Sequence, residues 1–290
     1  MKRSWLISAV IVIIAGGLLA FGYSTRSKES GTNITAAGST ALQPLVEAAG
    51  EQFAADHFGV FVNVQGGGTG TGLAQIQSGA VDLGNSDLFA QEKQGINAKQ
   101  LIDHKIAVVG VAPLVNKEAG IKNLTTEQLT EIFTKKVTNW KEVGGNDLPI
   151  VLVNRVAGSG TRATFEKWGL SGAQSAEAQE QDSSGMVRSI VNSTPGTVSY
   201  AAFSYLDKTV DVPTLNGVTP NNANVQSGAW PIWSYEHIYT KGQPKGEVKA
   251  FLEYLTSTKV QSTIVPQLGY ISIHDMQIER SVDGKITQVK

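Results

Sequence analysis

Apolar residues recur along the chain in two rhythms, and their alternation predicts an α/β protein. Residues 34–36 form a first short strand-like run, and Leu42, Leu45, Val46, Ala49 and Phe53 then follow at helical spacing. Residues 60–64 predict a second strand, Leu73 and Ile76 a short helix, and residues 80–83 a third strand. Two runs stand out by length: residues 105–115 (KIAVVGVAPLV) and 231–240 (PIWSYEHIYT) are each long enough to cross between two lobes. Between them lie a helix at 125–133 capped by Thr125 or Thr126, strands at 150–153 and 198–201, and helices at 162–168 and 186–191. Residues 216–227, rich in Asn and Gly, predict a loop, and residues 247–255 a helix with apolar Val248, Phe251, Leu252 and Leu255. No fixed-period repeat and no low-complexity run interrupts the pattern.

The first segment breaks both rhythms. Met1-Lys2-Arg3 is a basic head, and residues 4–25 carry no charge and are mostly apolar. Residues 1–23 are therefore expected to be a signal peptide or an N-terminal membrane anchor. Ala20 and Gly22 offer small side chains for cleavage near Tyr23, so both outcomes stay open. The basic head stays cytoplasmic, which places the rest of the chain outside, with residues 24–33 as a polar spacer.

Composition narrows the function. A length of 290 with 41% hydrophobic residues allows one or two domains with a sizeable core. Charged residues make up only 17%, against roughly 25% in an average domain. The 31 glycines exceed their usual share, so polarity is carried by Ser, Thr, Asn, Gln and Gly. A net charge of -1 argues against nucleic acid as a partner. Cysteine is absent, which excludes a disulfide, a thiolate metal site, a Cys nucleophile and a lipid-modified cysteine, so the chain is not a lipoprotein.

Three predicted strand–helix corners share one chemistry. They are Ala37-Gly38-Ser39-Thr40, the glycine-rich run from Gly66 to Gly72 (GGGTGTG), and the run from Arg155 to Thr161 (RVAGSGT). Each places small residues and hydroxyls where a helix starts, and free N–H groups at a helix start suit an anion. Taken singly, each corner reads as a helix cap and turn; three together, one with a guanidinium, shift the reading toward an anion site. The run before Leu73 lacks the Gly-Lys-Ser/Thr of a nucleotide-binding P-loop, and neither G-x-G-x-x-G nor G-x-S-x-G is present. Asp87 ends the third strand, and an ionised carboxylate only accepts hydrogen bonds. It would welcome a protonated oxyanion such as hydrogen phosphate and repel sulfate.

These residues resemble the phosphate-binding proteins of phosphate ABC transporters, a periplasmic-binding-protein-like family. The runs that carry the resemblance are AGST at 37–40, VQGGGTGTG at 64–72, DLGNSD at 82–87 and NRVAGSGT at 154–161, with further similar segments at 124–145 and 184–200. The resemblance spans roughly residues 34–270 and implies a two-lobed α/β (type II) fold with two crossing strands and a ligand cleft. Lobe 1 is then expected over 34–110 and 236–290, and lobe 2 over 111–235. By position, the family's phosphate contacts fall on Ser39, Thr40, Thr69, Gly70, Asp87, Arg155, Ser159, Gly160 and Thr161. Ala41 and Ala157 depart from the aromatic and acidic residues that some members carry there, so the net of donors differs in detail.

The implied function is extracellular capture of inorganic phosphate and its delivery to a membrane permease and ATPase by a monomer, without cofactor or metal. Alternatives are a binder of another tetrahedral oxyanion, a surface phosphate sensor or adhesin, and a serine phosphohydrolase using Ser39 or Ser159. The last needs a base in reach, and His57, His104, His237 and His274 lie in no motif and near no corner.

Overall fold

The computed structural model describes residues 31–289. The proposed signal or anchor and most of the spacer lie outside the described residues. Among the described residues no helix is long and apolar enough to cross a membrane.

The chain opens with β1 (Thr32–Gly38), α1 (Gln43–Asp56), β2 (Val60–Gln65), α2 (Thr69–Ser78) and β3 (Leu83–Ser86). The 15-residue strand β4 (Leu101–Val115) follows. Next come β5 (Asn123–Leu124), α3 (Thr126–Phe133), β6 (Val151–Arg155), α4 (Gly160–Thr164), β7 (Gln179–Gln181), α5 (Ser184–Ser193), β8 (Thr197–Ala202), β9 (Thr214–Leu215) and α6 (Asn222–Gln226). The chain then returns through β10 (Trp233–Lys241), α7 (Gly246–Leu255), α8 (Thr258–Ser262), α9 (Ile264–Gln267) and the hairpin β11 (Ile278–Arg280)–β12 (Ile286–Gln288).

Local chemistry accounts for these boundaries. Thr125 caps α3: its hydroxyl accepts from the Gln128 amide at 3.1 Å, and Gln128 reaches back to the Thr125 amide at 2.9 Å. Gly79 ends α2 in the left-handed conformation, with φ 80°. That turn delays β3 to Leu83, later than the pattern predicts, while the Asp82 carboxylate takes the Thr35 amide at 2.8 Å. The expected loop at 216–227 contains α6, because the Asn221 side chain accepts from the Asn224 amide at 2.8 Å and caps one helical turn.

Eight strands form one sheet in the order β2-β1-β3-β10-β4-β8-β6-β7. The two long strands sit side by side in its middle and pair antiparallel from Trp233↔Gly110 to Lys241↔Leu101. β4 changes neighbours along its length: residues up to Gly110 pair with β10, and Val111 to Val115 pair with β8. The fold is thus two α/β lobes, one around β1–β3 and one around β6–β8, joined by two crossing strands. β4 is buried without interruption from Ile106 to Val115, as a strand covered on both faces must be. An irregularity in the β4–β10 pairing falls between Glu236 and His237, and such bulges re-aim side chains.

The crossing is packed tightly at Gly110, where a Cβ would collide with the Phe203 ring. Gly110→Ala is expected to lower stability by about 1–3 kcal/mol through overpacking, read as a lower denaturation midpoint. An unchanged midpoint would show that Phe203 can move aside. At the far end, the Arg280 guanidinium lies 3.9 Å from the Trp168 ring and 4.0 Å from the Trp233 ring. This double stacking fastens the C-terminal hairpin to the rest of the fold.

Candidate functional site

The sheet carries the corners to the edge of the interlobe cleft: the first follows the C-terminal end of β1, parallel to β3, the third that of β6, parallel to β7 and β8, and the glycine-rich corner follows β2 beside β1. At the first corner, the Ser39 amide donates to the Asn85 carbonyl at 3.0 Å, tying the end of β1 to β3. The Ser39 hydroxyl accepts from the Ala41 and Leu42 amides at 3.0 and 3.2 Å and donates to Asp87 Oδ1. Thr40 faces the other lobe. Its hydroxyl oxygen accepts from Arg155 Nη2 at 3.1 Å, and its carbonyl accepts from the Tyr205 hydroxyl at 2.6 Å.

The glycine-rich corner begins α2. Gly67 and Gly68 have φ of 130° and 83°, backbone that side-chain-bearing residues rarely adopt. The Gly68 amide donates to the Gly38 carbonyl at 2.8 Å and locks the first two corners together. Thr69 is fully buried, and its hydroxyl oxygen accepts from the Asp87 amide at 3.0 Å. The Gly70 amide crosses the cleft to the Gly158 carbonyl at 3.0 Å.

From the opposite lobe, β6 ends in Arg155, 1% exposed. Its guanidinium donates from Nε to the Gln181 carbonyl at 3.2 Å, from Nη1 to Ser184 Oγ at 2.9 Å, and from Nη2 to the Asp182 carbonyl at 2.8 Å as well as to Thr40. Burial lowers the Arg155 pKa from its usual value, and the charge of Asp87 works against that shift. Ser159 caps α4 through the Arg162 amide at 3.2 Å, and the Thr161 hydroxyl donates to Asp87 Oδ2 at 2.8 Å. Asp87 therefore receives one hydroxyl from each lobe.

The nine residues singled out in the sequence thus converge on one buried spot. Asp87 bonds to Ser39, Thr69 and Thr161, Arg155 bonds to Thr40, and Gly70, Ser159 and Gly160 form the facing backbone walls. Sequence reasoning missed Ser184. It is fully buried at the start of α5, and its hydroxyl lies 3.1 Å from that of Thr40 as well as bonding Arg155. The signal was present: Asp182-Ser183-Ser184-Gly185 is a fourth strand–helix corner of the same kind. No histidine bonds to Ser39 or Ser159 among the described residues. His104 pairs with Thr240 and His237 with Asp103, so neither serine has a histidine base among the described residues.

Gly160 sits where the lobes touch. A Cβ there would collide with Thr69 Oγ1 and lie 2.9 Å from Asp87 Cβ. Gly160→Ala is expected to hold the lobes apart while leaving each lobe folded. Small-angle scattering should then give a larger radius in the presence of phosphate than for wild type, and an identical radius would count against cleft closure at this contact.

Sequence comparison matches the PBP superfamily domain over residues 24–259. The phosphate-binding protein PstS of Bacillus subtilis is 48% identical over 97% of this chain and 96% of its own length. A Clostridium perfringens structure, described as a phosphate ABC transporter substrate-binding protein with bound phosphate, aligns with a TM-score of 0.77 at 30% identity, over 83% of this chain and 100% of its own. An ABC-type phosphate transport receptor from Vibrio cholerae aligns with a TM-score of 0.65 at 29% identity, over 82% of this chain and 99% of its own. With two lobes, two crossing strands and four strand–helix corners gathered at one cleft, the chain belongs to the PBP superfamily and, within it, to the PstS family of phosphate-binding proteins.

Proposed function

We propose that this chain is an extracellular solute-binding protein that captures inorganic phosphate in its cleft and passes it to the permease and ATPase of a phosphate ABC transporter. It acts as a binder, not an enzyme. One observation carries this reading: a buried arginine and a buried aspartate flank one spot lined by hydroxyls and helix-start amides from both lobes. Arg155, Ser39, Thr40, Thr69, Ser159 and Thr161, with the Gly70 and Gly160 amides, would hold the oxyanion, and Asp87 would accept a hydrogen bond from its proton. Hydrogen bonds to a charged group contribute about 1.5–3 kcal/mol each, so several support micromolar or tighter binding, about -8 kcal/mol.

In this reading the lobes, 34–110 with 236–290 and 111–235, close by hinging at the crossing strands. The change of partner along β4 at Gly110 and Val111 supports that boundary. Residues 1–23 act as a signal peptide or anchor, and the protein works as a monomer at the outer face of the membrane or free of it.

Competition calorimetry with phosphate, sulfate and molybdate tests the ligand. Phosphate should bind and resist displacement by an excess of the other two. Displacement by either would assign the cleft to a different oxyanion.

A further inference from the structure

Glu236 is the one acid in the crossing-strand run PIWSYEHIYT, and it is completely buried. His237 pairs with Ser86 across β10 and β3, so Glu236, one residue before His237, stands beside Asp87, one residue after Ser86. Directly opposite residues of an antiparallel pair project to the same face. On the β4 side Glu236 pairs with apolar Ala107. The ionisable groups that face it are Asp87, Tyr205 and Tyr270, with Arg155 beyond Asp87. His237 and its partner Asp103 belong to the opposite face of the strand by alternation.

None of these neighbours offers Glu236 a proton. The Tyr205 hydroxyl donates to the Thr40 carbonyl and the Tyr270 hydroxyl to the Ala41 carbonyl. No hydrogen-bond donor meets either Glu236 oxygen among the described residues. An ionised carboxylate without donors, next to a second carboxylate, is among the most costly arrangements a protein interior can hold.

We propose that Glu236 is a positioning residue for Asp87, a neutral carboxylic acid that keeps its proton, gives a hydrogen bond to the Asp87 carboxylate and so holds it toward the cleft as a pure acceptor. This rests on the reading of Asp87 as the acceptor of the phosphate proton. Burial first, and the adjacent Asp87 second, push the Glu236 carboxyl well above the usual carboxylate range, which fits the neutral form. A raised acid binds its proton in the folded state after the unfolded chain has released it, so Glu236 subtracts stability as pH climbs through the ordinary carboxylate range.

The test compares the full chain with Glu236→Gln, Glu236→Leu and Asp87→Asn, each first checked for folding by circular dichroism. Infrared difference spectra at neutral pH should lose a protonated-carboxyl band in Glu236→Gln and show that band shifted in Asp87→Asn. Glu236→Gln, which keeps a neutral donor, should hold phosphate within about threefold of wild type and lose part of the fall in stability with rising pH. Glu236→Leu should weaken phosphate by at least about tenfold, near the value of one hydrogen bond to a charged group. A missing band, an unshifted band in Asp87→Asn, or wild-type phosphate affinity in Glu236→Leu would overturn the proposal. The band is read without phosphate, so failure of the pairing is distinguishable from failure of the Asp87 reading, which appears as an unchanged ratio of phosphate to sulfate affinity in Asp87→Asn.

Discussion

Arg155→Ala should weaken phosphate binding by at least about tenfold and could approach complete loss in calorimetry. The guanidinium is buried, and its bonds join both lobes: Gln181, Asp182 and Ser184 on its own side, Thr40 across the cleft. Alanine removes the single cation of the site and leaves the Thr40 and Ser184 hydroxyls and two carbonyls short of a donor. Arg155→Lys should recover only part of the loss, because an ammonium cannot reproduce the planar fork. Circular dichroism separates lost binding from lost fold. An alanine variant that is folded and binds phosphate with unchanged affinity would remove Arg155 from the site.

Asp87→Asn should change what is bound more than how tightly. The carboxylate accepts the Ser39 hydroxyl at one oxygen and the Thr161 hydroxyl at the other. An oxyanion entering with a proton can donate to it, and one without a proton meets a negative charge. The amide of asparagine can donate as well as accept, so the variant should admit sulfate. The measurement is the ratio of phosphate to sulfate affinity, expected to fall by about tenfold or more, the scale of one charge-assisted bond. An unchanged ratio would mean that the proton on the ligand is read elsewhere.

Much of this was legible in the chain because the crossing strands and corners are local patterns. Long β-branched runs leave few alternatives to a covered strand, and Gly, Ser and Thr at helix starts keep their meaning without knowledge of distant contacts. The boundaries that moved depended on single residues: the left-handed Gly79 delayed β3, and Asn221 made a helical turn inside an expected loop. The C-terminal hairpin escaped notice because its short strands bury only Ile278 and Arg280, and Arg280 is held by rings of Trp168 and Trp233 that lie far away in sequence. Ser184 was missed because its importance lies in two long-range bonds, to Thr40 and Arg155. Glu236 was visible as an acid in an apolar strand, but its neighbour Asp87 is supplied by the sheet register.

The burial of Arg155 also has a kinetic consequence. Its charge is enclosed by Thr40, Ser184 and two carbonyls, and the protein as a whole carries a net charge of -1. No basic surplus draws phosphate in from a distance, so encounter proceeds without electrostatic steering. Differences in affinity among variants of this site should therefore appear mainly as residence time, and added salt should leave the association rate nearly constant.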